Sequence, residues 1–338
     1  MKIGKISENI LKRSVLKQIK TKREEVVIGA GVGEDCAILT LQEDEMFVMS
    51  TDPITGTSTD MGELSVYVTV NDIVSSGAVP IGVMLSILLP PESEEENLRE
   101  IMISAGKACF ELGIEIIGGH TEVTDAVNRA VITVTGVGKV KKNAYLKTAA
   151  ASVGQDIIVS KWVGLEGTSI LAKEHPELLN KLPAHLVDVA IKFDKMLSVA
   201  PEAAIAVAVG VSAMHDVTEG GIFGALWEIA ESAKVGLEVD LKKIPIRQET
   251  VEICNYFDLN PYGLISSGSL IMITNNGQEL VKKLKEKNIN AVVIGKITAG
   301  NDRIVWNEEE KRFLEPPKSD ELYKVREKRN EGKNINNY

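Results

Sequence analysis

Two stretches in the first third of the chain carry apolar residues at helical spacing. The first runs from about Gly62 to Ser76 and stops near Gly77. The second opens at Ser93, where Ser93 and Glu96 fit a capping box, and carries Leu98, Ile101, Met102, Ala105, Cys109 and Leu112 before Gly113. Around them, runs of apolar residues predict strands at Glu25–Ile28, Ala37–Leu41, Met46–Thr51, Ile81–Leu89, Ile114–Ile117 and Arg129–Val140. Strands alternating with helical crossovers predict an α+β layer, one sheet with helices on one face. Its other face then needs cover, which a second copy of the chain would supply. A second unit begins near Gly154, with strands predicted at Asp156–Val159, Gly236–Val239, Ser269–Ile273 and Ala291–Ile294. Helices are predicted around Gly167–Lys173, His185–Leu197, Pro201–Val209 and Glu219–Ala233. The division is then 1–150, 151–315 and a charged, Asn-rich tail, 316–338, read as a last helical turn or disorder.

Polar residues that interrupt this pattern mark the candidate chemistry. Gly31-Val32-Gly33-Glu34-Asp35 is a glycine-rich loop without the Gly-Lys-Ser/Thr ending of a phosphate-binding Walker loop. It reads either as a simple turn or as a loop bringing Asp35 to a phosphate-bound ion. Thr51 and Asp52 end an apolar strand before Pro53, and the polar loop Thr55, Gly56, Thr57, Ser58, Thr59 follows. Asn71 and Asp72 interrupt an apolar helix, where both are poor interior residues. Gly118-Gly119-His120-Thr121-Glu122 follows a strand, and its glycines permit close backbone approach to a ligand. Carboxylates gathered at Asp35, Asp52, Asp72 and Glu122 would repel unless a cation joined them, and hard oxygen ligands suit magnesium bound to phosphates.

In the second unit, Asp216-Val217-Thr218-Glu219-Gly220-Gly221 precedes a helix. It reads as an anion site at a helix N-terminus or as ordinary capping by Thr218. Gly164-Leu165-Glu166-Gly167-Thr168 and Ser266-Ser267-Gly268-Ser269 are further polar loops of this kind.

Composition narrows the reading. At 338 residues, two domains are the better prior, and 44% hydrophobic with 25% charged residues is a soluble globular balance. A net charge of −10 argues against nucleic acid or an anionic membrane as the partner. No apolar run is long enough to span a bilayer and no secretory signal is visible, which makes the cytoplasm the expected location. Cys36, Cys109 and Cys254 lack metal spacing, and Cys109 falls on a helix's apolar face as core.

Taken together, GVGEDCAIL, STDPITG, VNDIVSSGAVP, GGHTEVT, GLEGTSILA, MHDVTEGGIFGALWEIAE and LISSGSL resemble, in order, the aminoimidazole-ribonucleotide (AIR) synthetase superfamily, in its AIR-synthase-related, HypE-like branch. The resemblance covers roughly residues 1–315. It implies a two-domain α+β / α/β fold, with an N-terminal domain that pairs into a dimeric β-barrel and a C-terminal α/β sandwich. It also implies ATP and Mg2+ as cofactors, with ATP bound where domains and subunits meet. Asp35, Asp52, Asp72 and Glu122 match the acidic positions that hold magnesium and phosphates in such proteins. His120 stands where several relatives carry Asp or Glu; Asp52, Asp72 and His120 are the catalytic candidates. Gly31, Gly33, Asp35, Thr51, Asn71, Gly118, Gly119, Thr121, Asp216, Thr218, Glu219, Gly220 and Gly221 are the nucleotide-binding candidates. Lys5 and Lys161 are the basic groups considered for charge stabilisation.

The chemistry implied is phosphorylation of a carbonyl or amide-type oxygen on a small or carrier-bound substrate, driving dehydration or cyclisation. A maturation-factor partner protein is also implied. The chain ends Asn336-Asn337-Tyr338, without the C-terminal cysteine on which the hydrogenase-maturation dehydratase carries its substrate, so that carrier chemistry is not expected. The alternatives are a small-molecule kinase resembling thiamine-monophosphate kinase, and a non-catalytic nucleotide-binding maturation factor.

Overall fold

The computed structural model describes residues 1–56, 60–316 and 318–325. Thr57, Ser58 and Thr59 of the polar loop, and the tail beyond residue 325, lie outside them. The chain forms two compact units, Met1–Tyr145 and the residues from Leu146 onward.

Unit 1 opens with the short strand β1 (Gly4–Lys5) and a helical turn, α1 (Glu8–Ile10). A two-stranded ribbon, β2 (Val26–Ile28) and β3 (Ile38–Leu39), flanks the glycine loop. The main elements are β4 (Glu45–Gly56), α2 (Met61–Ser75), β5 (Val79–Leu89), α3 (Glu95–Leu112), β6 (Glu115–Val123) and β7 (Ala130–Lys141). The sheet order is β1-β6-β5-β7-β4, with β5 and β6 parallel and joined through α3. Alternation along β4 and β5 sorts the side chains. Val83, Leu85, Ile87 and Leu89 are buried, whereas Phe47, Met49 and Met84 are exposed on the other face. Helices α2 and α3 pack together, and Gly62 lets them close: a Cβ there would lie 2.1 Å from the Ile101 carbonyl oxygen.

The α3 capping box sits one residue later than expected. Glu94 is the N-cap, its backbone N–H donating to Asn97 Oδ1 at 2.9 Å, while buried Ser93 is used in a turn through its N–H to the Pro90 carbonyl. The helix ends at Gly113 in the left-handed region, as its sequence predicts. Cys109 is buried, and burial pushes its thiol up to about 12.

Unit 2 contains β8 (Asp156–Ser160), α4 (Leu165–Glu174), α5 (Ala184–Ile191), α6 (Ala200–Val209), β9 (Ala213–Val217), α7 (Gly221–Ala233) and β10 (Gly236–Asp240). There follow α8 (Gln248–Phe257), β11 (Ser269–Thr274), α9 (Gly277–Glu286), β12 (Ala291–Thr298), β13 (Arg303–Asn307) and β14 (Glu310–Phe313). Its sheet order is β14-β13-β10-β12-β8-β11-β9, antiparallel except for β10 and β13. The apolar face of α7 (Ile222, Ala225, Leu226, Ile229) closes a core with Ile157, Val159, Ile271 and Ile273. A second core joins α4, α5 and α8 to Leu322 and Val325 of the C-terminal segment. That segment forms one helical turn over residues 321–325, one of the two readings of the tail.

Five elements of unit 2 were absent from the sequence reading: β9, α8, α9 and the two strands of the β13–β14 hairpin. For α9 the signal was there, since Leu280 and Leu284 stand four apart and are fully buried among polar residues. Strand β9 was hidden because His215 and Asp216 interrupt a short apolar run.

Candidate functional site

The Asp52 and Asp72 candidates share one layer of unit 1. On β4, the half-buried residues Val48, Ser50, Asp52 and Ile54 alternate with exposed Met49, Thr51 and Pro53, which turns them toward the helical face. Asp72, on α2, accepts a hydrogen bond from the Ser50 hydroxyl. Ser50 and Asp52 are two residues apart on one strand face, about 7 Å along β4. The two carboxylates therefore stand over adjacent positions of the same strand. Asn71 beside Asp72 is fully buried, so both polar residues of this apolar helix sit on its packed side, Asp72 against β4. Thr51 points the other way, its hydroxyl donating to the Val134 carbonyl at 3.1 Å.

The remaining unit 1 candidates gather elsewhere. A cavity of about 140 Å³ is lined by Lys5, by Gly31, Gly33 and Asp35 of the glycine loop, and by Gly118, Gly119, His120 and Thr121 of β6. The chain leading to that loop is moored by buried Glu115 on β6, which accepts from the Arg23 backbone N–H at 2.9 Å and Lys22 Nζ at 2.6 Å. Glu25 strengthens the mooring through Arg23 and Lys139. The Arg23 hydrogen bonds hold its carboxyl down at about 2. His120 Nε2 lies 3.1 Å from Glu122 Oε2, and Lys5 is the cross-strand partner of Glu122.

Gly119 has a packing role besides lining this cavity. Its φ is +145°, and a Cβ would sit 2.0 Å from the Leu85 carbonyl oxygen. The close approach it permits is that of β5 to β6, beside a register shift at Val83/Met84.

Strands β6 and β4 are three steps apart, about 14 Å across the sheet. Asp35, Asp52, Asp72 and Glu122 therefore do not converge within one chain. Among the described residues no three His, Cys, Asp or Glu side chains are grouped to hold a metal ion. Magnesium bound to phosphates needs only one or two protein carboxylates, the rest of its shell being phosphate oxygens and water. The Asp52–Asp72 layer fits that smaller demand.

In unit 2 the three polar loops meet. The Gly164 N–H donates to Ser266 Oγ at 2.6 Å, Ser269 Oγ donates to the Trp162 carbonyl at 2.6 Å, and the Ser266 N–H donates to the Thr218 carbonyl at 3.3 Å. Glu166, Asp216 and Asp320 are buried around this junction. Burial raises the Glu166 carboxyl to about 7 against the Ser267 hydroxyl and N–H, with Asp320 and Asp216 adding repulsion. Glu166 Oε2 and Asp216 Oδ2 have no hydrogen-bond partner among the described residues. Burial lowers the pKa of His215, but its contacts with Asp216 and Glu228 outweigh that and lift it to about 9.

The α7 N-terminus differs from both of its sequence readings. Gly220, in the left-handed region, is the N-cap in place of Thr218, and its N–H donates to Asp320 Oδ2 at 2.7 Å. The anion at this helix end is the chain's own carboxylate, supplied from 100 residues downstream. Glu219 is exposed and Gly221 buried, where a Cβ would meet the Tyr262 carbonyl oxygen at 2.5 Å. Lys161 is excluded as a mobile charge stabiliser. It is buried with Nζ bound to the Met196 and Ser198 carbonyls and 2.7 Å from Glu202. Sequence reasoning missed Ser50 and Asp320; the Ser319-Asp320-Glu321 start of a short helix was the available signal for the latter.

No helix among the described residues is long and apolar enough to cross a membrane. Two AIR synthase related protein domains match the chain, the N-terminal domain over residues 33–140 and the C-terminal domain over residues 152–307. The chain is 27% identical to a Methanocaldococcus jannaschii protein named for hydrogenase expression and formation, over 89% of this chain and 90% of that protein. It is 30% identical to the carbamoyl dehydratase HypE of Cupriavidus necator, over 71% of this chain and 69% of that one. Among solved structures, the hydrogenase maturation protein HypE in complex with ATP superimposes with a TM-score of 0.79 at 23% identity, over 94% of this chain and 97% of that chain. The thiamine-monophosphate kinase of Stenotrophomonas maltophilia K279a does so with a TM-score of 0.74 at 20% identity, over 91% and 99%. With both domains matched in order across a two-unit α/β fold, the chain belongs to the AIR synthase related family.

Proposed function

We propose that the chain is an ATP- and Mg2+-dependent enzyme that phosphorylates a carbonyl or amide-type oxygen of a small or carrier-bound substrate. Loss of the phosphorylated oxygen as phosphate then completes a dehydration or a ring closure, leaving ADP and phosphate. The observation that carries this reading is the Asp52–Ser50–Asp72 layer of unit 1, in a chain 30% identical to a carbamoyl dehydratase. When bound, Mg2+ would neutralise charge on the transferring phosphoryl group. Asp52 and Asp72 would hold it, with Ser50 fixing the orientation of the Asp72 carboxylate. The glycine loop with Asp35, Gly118, Gly119 and Thr121 of β6, and Lys5 would line the nucleotide, and His120 and Glu122 would face the substrate side.

A homodimer belongs to this reading. Phe47, Met49 and Met84 leave one face of the unit 1 sheet open, and pairing two such faces into a barrel would cover them. It would also add a second copy's candidates to each site. The relatives' naming for hydrogenase formation supports a maturation-factor partner. The fold shared with a thiamine-monophosphate kinase keeps the kinase reading as the alternative.

The test is thermal unfolding with ATP and Mg2+, ATP alone and no ligand, on the wild type and on Asp52→Asn and Asp72→Asn. A ligand at about 100 times its dissociation constant stabilises by roughly 2.7 kcal/mol. A magnesium-dependent shift lost in both variants is the expected result. A shift that persists in both moves the phosphate site away from β4 and α2.

A further inference from the structure

Unit 2 contains a second and larger cavity, of about 590 Å³, within the size range of small-molecule sites. One wall is the family domain: Phe223 and Gly224 of α7, Leu241, and Tyr262. Phe223 and Tyr262 stack with ring centroids 5.2 Å apart and planes 19° from parallel, and both are only partly buried. The opposite wall comes from residues beyond 307, past the end of the matched domain: Arg312, Phe313, Leu314 and the segment reaching Lys324. Residues on both sides of position 307 therefore build this cavity.

Its lining is apolar in the body and charged at the mouth. Cations Arg312, Lys318 and Lys324 outnumber carboxylates Glu315 and Glu321 there. Among the described residues each cation is paired with a near neighbour in sequence: Arg312 with Glu310 at 2.8 Å, Lys324 with Glu321 at 2.7 Å, and Lys318 with Glu315. The Arg312–Glu310 and Lys318–Glu315 pairs are exposed and contribute little, so an incoming anion can replace a carboxylate partner there at small cost. A flat ring satisfies the aromatic wall, where stacking adds to area burial. We propose that this cavity binds a small anion with a planar aromatic body, its ring against Phe223 and Tyr262 and its charge toward Arg312 and Lys324.

The probe is 1-anilinonaphthalene-8-sulfonate, a planar aromatic anion whose fluorescence rises in apolar surroundings, titrated into the full chain. The expected result is one saturable site, with chemical shifts at the Leu241 and Leu314 methyl groups. Phe223→Leu, which keeps the core contact of α7 but removes the ring, and the surface pair Arg312→Glu/Lys324→Glu should each weaken binding about tenfold. Unchanged binding in both variants, non-saturable fluorescence, or methyl shifts confined to other residues overturns the site. Loss in Phe223→Leu alone overturns the anionic assignment. The nucleotide reading stands or falls separately, since the Mg2+- and ATP-dependent thermal shift should survive in the charge-reversed pair.

Discussion

Asp320 binds the Gly220 N–H at 2.7 Å and the Leu322 N–H at 2.9 Å, fastening the C-terminal segment to the start of α7. Charge-assisted bonds to buried backbone donors are among the stronger polar contacts, and their loss strands those donors. Asp320→Ala should therefore cost about 2–3 kcal/mol of local stability. Amide hydrogen exchange is the measurement, with faster exchange at residues 219–222 and 320–325 and little change in unit 1.

Two titrating groups in unit 2 give its stability a defined pH dependence. Glu166 rises from 4.5 to about 7 on folding, so the folded state holds a proton that the unfolded state releases. Its contribution is whole below pH 4.5 and is lost as pH rises through about 7, an effect on the order of 3 kcal/mol. His215, lifted from 6.5 to about 9, has the same sign at higher pH: its contribution is present below 6.5 and lost through 9. Urea unfolding followed from pH 4.5 to 9 should show unit 2 weakening throughout. Glu166→Gln should flatten the lower half of that profile, and His215→Gln the upper half.

How far this was readable from sequence depended on whether the cause was local. The α2 side of the β4–α2 seam was legible because Asn71-Asp72 violates helix preference, whereas β4 runs on to Gly56, past the expected end at Thr51, so its sequence did not set the face of Asp52. Placement of the α3 capping box missed by one residue, because Ser93 is drawn into the Pro90 turn and both neighbouring residues can cap. The Asp320 latch and the stacking of Phe223 on Tyr262 join residues far apart in sequence, and no spacing rule connects them. Sheet order, which puts two strands between Glu122 on β6 and Asp52 on β4 within one chain, is likewise not conveyed by spacing along the sequence.

Gly119 tests the packing account of the β6 glycines. Its positive φ and the 2.0 Å clash of a Cβ with the Leu85 carbonyl leave no room for a side chain. Gly119→Ala should lose about 3 kcal/mol or more through backbone strain and disruption of the β5–β6 pairing. Gly118→Ala meets only the Met84 side chain, at 3.4 Å, and should be much milder. Thermal unfolding of the two variants side by side decides it; equal effects would return both glycines to a ligand role.

The fate of the phosphoryl group separates a dehydratase from a kinase, and the Asp52–Ser50–Asp72 layer states what should change with it. Ser50 donates a hydroxyl hydrogen bond to Asp72, so Ser50→Ala leaves both carboxylates in place but loosens the hold on one of them. Misplacing a metal-holding carboxylate acts on the transition state more than on binding. Ser50→Ala should lower kcat about 10-fold to 100-fold with KM for ATP nearly unchanged, a loss of about 1.4–2.7 kcal/mol. Asp72→Asn should abolish turnover. Phosphorus NMR of the wild-type reaction should show free phosphate appearing with ADP, from an oxygen eliminated as phosphate. A stable phosphorylated product would assign the chain to the kinase alternative, with the same residues performing the transfer.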